Sequence, residues 1–549
     1  MEARLVMRWW GWGEDQHAVS LPEPAERMLD LELGIEPPSG PQPVRGGPDT
    51  VALPKPALGA AARRELVAAV GGEHVVDDHA SRVACAAGRS YPDLLALRSG
   101  RLAGAPDAVV RPGESAQVAA VLAVCAQAGV AVVPFGGGTS VVGGVDPVRG
   151  DHPALIALDL SRMDRVLDLD PVSLTARFEP GILGPELERR LATAGLTLGH
   201  YPQSFEYSTL GGWVATRSAG QASTGVGRID DLVQSLRCET PAGPIETREV
   251  PASAAGPALK ELIMGSEGVL GVISAATLRV RPRPAAHHYE AWSVASFAGG
   301  VEALRTVEQA GAAPDVSRLS DESETALTVA LGSTGSRVEA LGRTYLRLRG
   351  HDEGSLMMVG FEGEAGDVAR RRGRAAEMLR GAGAVHLGER PGRAWQRTRF
   401  AAPYLRDELM DRGALVETLE TATTWSNLAT TYAAVRDALA QSLAALGTRP
   451  LVMCHVSHLY PTGACLYFTF IAQALEGREL EQWRAAKHAA GDAIAAAGAT
   501  ITHHHAVGRD HRPWMGDEVG AVGLEALRAV KARLDPTGIM NPGKLLPAP

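Results

Sequence analysis

The segment that decides the fold is "PFGGGTSVVGG", residues 134–144. A helical pattern over residues 114–129 and the apolar strand pattern "VAVVPF" precede it. Glycine lets backbone N–H groups converge on an anion, because no Cβ intervenes and a positive φ is permitted. The segment therefore predicts a loop that cradles a phosphate group.

This loop matches neither of the common nucleotide-binding motifs. No Gly-Lys-Ser/Thr follows it, which excludes a Walker A loop. A Rossmann fingerprint lies at the start of a helix, whereas here the strand pattern "ALIALDLSRM" follows the loop. Two further glycine-rich segments lie at residues 199–220 and 264–273. Three such segments in one strand-rich region favour a bound diphosphate over glycines that merely shape hairpins.

Length and composition indicate a soluble globular chain of several domains. The chain has 549 residues, of which 45% are hydrophobic and 21% charged. Its net charge of -9 gives no reason to expect nucleic acid as a partner. The five cysteines are scattered and form no C-x-x-C pair, so neither a disulfide framework nor a zinc knuckle is expected.

The chain termini carry no recognisable targeting signal. The N-terminus "MEARLVMRWWGWGEDQH" lacks the apolar core of a signal peptide, and no run of about 18 apolar residues occurs. The C-terminal "LLPAP" is not a peroxisomal address. We therefore expect a cytoplasmic protein, with peripheral membrane contact compatible with the sequence.

The pattern of elements predicts an α+β protein, in which a strand-rich domain that carries the glycine-rich segments precedes a second α+β domain. A Pro/Gly-rich segment, either a linker or a strap across the surface, occupies residues 36–56. After Pro284 a β-α-β pattern appears twice, which indicates a second α+β domain with an internal duplication. The predicted divisions are an N-terminal segment of residues 1–100, a first α+β domain of 101–285 that carries the glycine-rich segments, a second α+β domain of 286–495 and a C-terminal helical segment of 496–549.

The three glycine-rich segments resemble, in this order and spacing, the FAD-binding segments of the vanillyl-alcohol oxidase superfamily. Within it, "MRWWGWG", "PYLRDELMDRGALVETLETATTW", "GACLYFTF" and "THHHAVGR" are similar to the alkyldihydroxyacetonephosphate synthase (alkylglycerone-phosphate synthase) family. The resemblance runs from about residue 7 to the C-terminus. It implies a two-subdomain FAD-binding domain (the flavin domain) over residues 101–285, with FAD bound without a covalent link. It also implies that residues 286–495 form a substrate-binding cap and that residues 496–549 complete the active site.

The resemblance also implies which residues contact FAD. Tyr201 and Gln203 replace the two acids of the family segment, which alters the polarity expected near the flavin. The implied cofactor residues are Pro134, Phe135, Gly136, Gly137, Gly138, Thr139 and Ser140 around the diphosphate; Gln203, Ser204, Phe205, Glu206, Tyr207, Ser208, Thr209, Gly212, Thr216, Arg217, Ser218 and Ala219 beside the flavin ring and ribityl chain; and Glu267, Gly268, Val269, Leu270, Gly271, Val272 and Ile273 along the remaining cleft.

The implied reaction exchanges the acyl group of acyl-dihydroxyacetone phosphate for a fatty alcohol, with the flavin as an electrophile and no net redox. Tyr467 matches the family's catalytic tyrosine, and Arg406 and Arg318 match its substrate-side arginines. Its active-site histidines match His200, His503, His504 and His505.

Strand alternation places Tyr467 and Thr469 opposite Leu466, Phe468 and Phe470, so the phenol can face a cavity. We expect nearby cationic histidines to lower the pKa of Tyr467 below about 10, so that it can act as a base.

The three adjacent histidines raise the question of a metal site. On an extended strand His503 and His505 face one way and His504 the other. The three imidazoles would then not converge on one ion, and we predict no metal.

Two other functions remain open at the level of sequence. The tail "LDPTGIMNPGKL" is similar to flavin-dependent 2-hydroxyacid dehydrogenases, so an FAD oxidase or dehydrogenase of a D-2-hydroxy acid is the main alternative. A flavoprotein without catalysis, serving as a binding module, is the other. The expected partners of the synthase are its lipid substrates, and a homodimer is compatible with the sequence.

Overall fold

The computed structural model describes residues 7–37, 45–333 and 335–548, apart from the side chain of residue 338. Part of the predicted linker over residues 36–56, and the first six residues of the N-terminal segment, lie outside this range. The strands in chain order are β1 (Val75–Val76), β2 (Ala108–Val110), β3 (Val130–Phe135), β4 (Ala154–Asp159), β5 (Val166–Asp170), β6 (Thr175–Phe178), β7 (Leu196–Thr197), β8 (Val233–Thr240), β9 (Gly243–Glu246), β10 (Val272–Arg279), β11 (Arg281–Pro282), β12 (Ala286–Val294), β13 (Val316–Ser320), β14 (Ser355–Gly363), β15 (Val385–Gly388), β16 (Ala414–Thr424), β17 (Pro450–Tyr460) and β18 (Gly463–Gln473).

The α-helices in chain order are α1 (Glu23–Leu33), α2 (Ala60–Val70), α3 (His79–Ala84), α4 (Tyr91–Arg98), α5 (Ser115–Ala128), α6 (Gly184–Ala192), α7 (Leu210–Thr216), α8 (Ser223–Val226), α9 (Ile229–Leu232), α10 (Leu259–Ile263), α11 (Phe297–Gln309), α12 (Glu322–Gly332), α13 (Arg337–Leu348), α14 (Ala365–Gly381), α15 (Glu389–Thr398), α16 (Ala402–Asp411), α17 (Leu428–Ala445), α18 (Glu479–Ala496) and α19 (Met515–Leu534).

The first sheet has the order β1-β2-β4-β3 and leads directly into the first glycine loop. Strands β2, β4 and β3 are parallel to one another, whereas β1 is antiparallel to β2. Helix α5 packs on this sheet through the predicted apolar positions Val118, Val121, Leu122 and Cys125. Gly129 ends α5 with a φ of 65°, a conformation that glycine adopts without strain. Strand β1 of this sheet lies before residue 101, where the sequence placed the start of the domain. A strand of two residues leaves no periodic pattern in the sequence.

The second sheet is antiparallel, with the order β5-β6-β10-β8-β9. Its core includes Phe178, Leu187, Trp213 and Leu236, all buried. The second and third glycine-rich segments lead into α7 and into β10 respectively. Residues from all three glycine-rich segments line one cavity.

The cap is built on a seven-stranded sheet of order β15-β12-β14-β13-β17-β18-β16. The predicted elements of the duplicated β-α-β pattern are present as β12-α11-β13 and β14-α14-β15. Helices α11, α14, α17 and α18 bury their apolar faces against one side of this sheet. The other side therefore remains to face the flavin domain.

The C-terminal tail returns to the flavin domain and pairs with its first sheet. Met540 bridges Val132 of β3, and the Asn541 side chain donates hydrogen bonds to the carbonyl oxygens of Gly144 and Glu267. The tail thereby links two glycine-rich segments. Within the described ranges, none of the helices combines the length and the apolar character that crossing a membrane requires.

Candidate active site

A large cavity of about 530 Å³ lies between the flavin domain and the cap sheet. All seven residues of 134–140 line it. The other predicted cofactor residues that line it are Gln203, Ser204, Ser208, Thr209, Gly212, Thr216, Ser218, Ala219, Glu267, Gly268, Gly271, Val272 and Ile273. The geometry thus brings together three segments that are distant in sequence.

Six predicted cofactor residues are not in the cavity wall, namely Phe205, Glu206, Tyr207, Arg217, Val269 and Leu270. Phe205 packs in the core of the second sheet, and Arg217 pairs with Asp230 and Glu261. The sequence match covered whole segments, whereas only some residues of each segment face inward. The resemblance therefore could not separate lining residues from their neighbours.

The first loop is so close to the second segment that side chains are excluded. A Cβ on Gly137 would lie 2.0 Å from the Tyr207 carbonyl oxygen, and one on Gly136 would lie 2.3 Å from Thr209 Oγ1. The wall of the cavity here is consequently backbone. Such a wall offers N–H groups to a diphosphate, so these residues fit FAD.

Glu267 acts as an anchor between segments. Its backbone has a φ of 51°, and its buried carboxyl group accepts hydrogen bonds from the amides of Val507 (2.9 Å) and Gly508 (2.7 Å). Burial raises its pKa to about 7. Glu267 therefore fixes the C-terminal loop against the cavity.

Tyr467 projects from β18 into the cavity, with the alternation predicted from the sequence. Leu466, Phe468 and Phe470 are fully buried on the opposite face, while Tyr467 and Thr469 line the cavity. The phenol ring stacks on His455 at 4.8 Å between ring centroids. It also stacks on His504 at 5.9 Å and meets the edge of His505 at 5.4 Å.

The expectation of an extended strand at the three histidines is wrong, because residues 503–505 form consecutive bends. Their backbone N–H groups turn toward one carboxylate, that of Glu420. The alternation of side chains along a strand therefore does not apply to these three histidines. His504 and His505 share the cavity wall, while the buried His503 turns away, with Nε2 2.6 Å from the Tyr460 hydroxyl and Nδ1 2.9 Å from His504 Nδ1.

His200 is also placed behind the cavity wall. Its side chain is fully buried, its Nε2 lies 2.8 Å from the Ser218 hydroxyl, and its ring meets Trp213 edge-on. Since Ser218 itself lines the cavity, His200 touches the site through that hydroxyl.

The charges in the cluster also differ from the expectation. Burial lowers the pKa of His504 to about 3 and of His505 to about 4, and it raises the pKa of Tyr467 to about 12. Cationic histidines therefore do not lower the pKa of the tyrosine. The physical reason is that removal from water disfavours the charged form of every group. At neutral pH the cluster consists of a neutral phenol and neutral imidazoles.

Arg406 projects from α16 into the cavity with unused hydrogen-bonding capacity. Its Nη1 donates to the Arg89 carbonyl oxygen at 2.8 Å, while its buried Nε and Nη2 have no hydrogen-bond partner in the described part of the chain. Its neighbour Asp407 is paired with Arg8 and Arg98 instead. Arg406 is therefore not half of a surface ion pair, and two of its donors are available to an anion.

Arg318 lines the same cavity from β13. Its Nη2 pairs with Glu324 at 2.8 Å, and that carboxylate also lies 2.9 Å from His455 Nδ1. Arg318 thus belongs to a chain of polar side chains that ends at the ring stacked on Tyr467.

The sequence reasoning missed His455, His458, Thr418 and Glu324, all of which line the cavity. The segment "HVSH" in β17 was a possible signal, because two histidines within an apolar strand pattern are unusual. A shift in register between Val456 and His458 re-aims the second of them. Glu420, which organises the histidine loop, gave no signal of its own.

Ligand-type side chains converge in two places. His458, Cys465, His503 and His504 place one ligand atom each within 4.8 Å of one another, as do Glu420, His504 and His505. Both ring nitrogens of His458 have neighbours in the protein, with Nδ1 2.8 Å from the Ser457 hydroxyl and Nε2 3.0 Å from the Gly220 carbonyl oxygen. These two hydrogen bonds explain the position of the His458 ring, and each group includes two of the three adjacent histidines.

Comparisons with known proteins address the same regions. Residues 106–248 match the family "FAD binding domain", and residues 283–545 match "FAD linked oxidases, C-terminal domain". These matches confirm FAD as the cofactor and the predicted fold class.

Two relatives match most of the chain. The alkyldihydroxyacetonephosphate synthase of Dictyostelium discoideum is 35% identical, over 88% of this chain and 80% of its own length. That of Trypanosoma brucei brucei is 34% identical, over 90% of this chain and 82% of its own length. A solved structure of an alkyldihydroxyacetonephosphate synthase superimposes with a TM-score of 0.84 at 30% identity, covering 98% of this chain and 99% of the other. The chain therefore belongs to the alkyldihydroxyacetonephosphate synthase family of FAD-binding enzymes.

Proposed function

We propose that the chain synthesises an ether lipid by exchanging the acyl group of acyl-dihydroxyacetone phosphate for a fatty alcohol. The observation that carries this proposal is one cavity that combines a tyrosine–histidine cluster, a guanidinium group with unused donors and an apolar end. A phosphorylated substrate with a long alkyl chain needs all three. FAD, when bound, would supply an electrophilic centre for the exchange.

The apolar end of the cavity supports a lipid substrate. Lining side chains from α12, α16 and the cap sheet form one continuous apolar cluster that α1 closes from outside. An alkyl chain placed there leaves water, at a gain of about 0.8 kcal/mol per methylene group. The lining members of this cluster are Leu327, Leu331, Leu405, Leu409, Val416, Met453 and Ile471.

Arg406 is the proposed phosphate ligand. Its free Nε and Nη2 form one edge of the guanidinium fork, which suits two oxygens of a phosphate group. The hydrogen bond from Arg406 Nη1 to the Arg89 carbonyl oxygen already holds the guanidinium group in place. The Arg406 side chain therefore loses little conformational freedom when phosphate binds. Arg318 is the proposed second substrate-side cation, held in place by Glu324.

The cluster of neutral groups supports a relay for the substrate proton. The proton leaves the substrate carbon for the oxygen of Tyr467, while the hydroxyl proton of Tyr467 passes to the imidazole of His504 or His505. Each neutral imidazole has one unprotonated ring nitrogen that can accept this proton, because burial keeps the rings uncharged at neutral pH. The imidazolium ion that forms lies beside the Glu420 carboxylate, since His505 Nδ1 is 3.6 Å from it.

We also propose that α13 makes peripheral contact with a membrane. Leu341, Tyr345 and Leu348 share one face of this helix and are exposed by 71%, 50% and 81%. The guanidinium group of Arg349, just past the end of the helix, lies over the Tyr345 ring at the border of this face, which suits anionic headgroups. Helix α12, directly before α13, carries Leu327 and Leu331 of the apolar end. A lipid leaving the membrane at α13 would thus have a short path into the cavity.

The test is a turnover assay with the FAD-loaded protein, acyl-dihydroxyacetone phosphate and labelled hexadecanol. The label is expected in an alkyl-dihydroxyacetone phosphate product. Tyr467→Phe is expected to retain the flavin spectrum and to lose ether formation, because the ring still packs but the proton relay is gone. If Tyr467→Phe keeps full activity, the proposed role of the tyrosine is wrong; if the wild type forms no ether, the function is wrong.

A further inference from the structure

Glu420 lies at the centre of the polar cluster without lining the cavity. It sits on β16 directly opposite Tyr467 of β18, and its side chain is fully buried. A buried carboxylate is costly unless every oxygen has hydrogen-bond donors. The donors around Glu420 therefore indicate what its charge is used for.

Four donors surround the Glu420 carboxylate, and all come from one short segment. The Thr502 hydroxyl donates at 2.7 Å, and the backbone amides of His503, His504 (3.1 Å) and His505 (2.7 Å) follow in sequence. Successive amides that converge on one anion form a backbone nest. Burial raises the pKa of the Glu420 carboxyl group, but its attraction to the imidazoles of His504, His505 and His503, together with the Thr502 hydroxyl, holds it well below its usual value.

This nest determines which histidines reach the site. Because all three amides point at Glu420, the backbone bends at each residue and the strand alternation is lost. His504 and His505 are thereby brought to the cavity, while His503 is turned toward Tyr460. The carboxylate also joins the strand of Tyr467 to the loop of the histidines, which are otherwise far apart in sequence.

We propose that Glu420 is a positioning residue that holds His504 and His505 against Tyr467 by binding the backbone of residues 502–505. The geometric part of this inference stands on the contacts alone, and its catalytic consequence rests on the proposed function. Glu417 provides a matched control on the same strand. It is also buried, but it accepts a hydrogen bond from Trp483 Nε1 on the other face of the sheet.

The first measurement is amide hydrogen exchange of the FAD-loaded protein, read on the peptide that contains residues 502–508. Glu420→Gln puts amide hydrogens among the donors of the nest, so exchange in this peptide is expected to accelerate at least about tenfold. Glu417→Gln is expected to leave this peptide unchanged. Unaltered exchange in Glu420→Gln would overturn the proposal, whatever reaction the enzyme catalyses.

The second measurement separates positioning from general stability. With the flavin content unchanged, Glu420→Gln is expected to lower kcat about 100-fold, since displacement of reacting groups by about 1 Å has this effect. The KM for the phosphorylated substrate is expected to change less than about threefold, because Arg406 is untouched, and Glu420→Asp should restore part of kcat.

Equal losses of kcat and flavin in Glu420→Gln and Glu417→Gln would overturn the positioning role. Absence of ether formation in the wild type, together with accelerated exchange in Glu420→Gln, would instead reject the proposed function alone.

Discussion

At the residue scale, Arg406 and Asp407 show how neighbours on one helix are divided between ligand and scaffold. Asp407 accepts hydrogen bonds from Arg8, Arg98 and the Trp12 backbone, so it secures α16 to the N-terminal segment. Arg406 is left with two buried nitrogens that have no partner among the described residues. Because both nitrogens are free to donate hydrogen bonds, Arg406 is expected to account for most of the affinity for the substrate phosphate.

Arg406→Gln is predicted to raise the KM for acyl-dihydroxyacetone phosphate with little change in kcat. The loss of charge-assisted hydrogen bonds costs about 2 kcal/mol, which corresponds to a rise of about 30-fold in KM. Arg406→Lys keeps the charge but loses the fork, and an intermediate KM is expected. Steady-state kinetics at saturating alcohol measures both. An unchanged KM in Arg406→Gln would assign the phosphate to another residue.

At the element scale, the loop of residues 136–138 must remain free of side chains. Gly137→Ala would place a Cβ 2.0 Å from the Tyr207 carbonyl oxygen, so the loop must move away from the second segment. This variant is predicted to lose most of its FAD, measured as the ratio of flavin to protein absorbance. Gly366→Ala is the control, because a Cβ there meets no atom within 4 Å and alanine suits the first turn of α14. Full flavin content in Gly137→Ala would contradict the assignment of the loop.

Helix α13 provides a second prediction at this scale. The double variant Leu341→Asp, Leu348→Asp is predicted to abolish sedimentation with vesicles that contain anionic lipid. Val522→Asp, on the 79% exposed Val522 of α19, is the matched control and should sediment as the wild type does. If both proteins bind vesicles equally well, the membrane contact lies elsewhere.

Features that depend on residues close together in the sequence could be predicted. Contacts between residues far apart in the sequence could not. The apolar spacing in α5 and the alternation around Tyr467 depend on one helical face or one pleat, and both are present. The bends at residues 503–505 depend on Glu420, which lies on a strand distant in sequence. The predicted alternation of the three histidine side chains was therefore wrong. His455 became a neighbour of Tyr467 only through the register of β17 with β18. A resemblance transfers residue types, whereas their directions come from tertiary contacts.

At the scale of the whole molecule, buried titratable groups connect folding to pH. His200 is fully buried, and burial lowers its pKa to about 3. Because its folded pKa lies below its unfolded value of about 6.5, its stabilising contribution is complete above pH 6.5 and is lost as the pH falls. At pH 5 the loss for one such imidazole is about 2 kcal/mol. Buried carboxyl groups with raised pKa values, such as Asp321 at about 7, act in the opposite direction.

These opposite signs give a paired prediction for the melting temperature of the FAD-loaded protein. Between pH 7 and pH 5, His200→Gln should lose less stability than the wild type, since no imidazole at this position gains a proton on unfolding. Asp321→Asn should lose more, because the folded protein no longer takes up a proton there. Equal pH dependence in all three proteins would show that these groups are not the ones that couple folding to pH.

The most direct test of the central claim is the stoichiometry of the reaction under conditions that also detect redox turnover. The FAD-loaded protein is given acyl-dihydroxyacetone phosphate and fatty alcohol, and released fatty acid, ether product and dissolved oxygen are followed together. The account predicts equal amounts of fatty acid and ether product, with no consumption of oxygen. Bleaching of the flavin by a D-2-hydroxy acid, with reoxidation by an acceptor and no ether product, would contradict it.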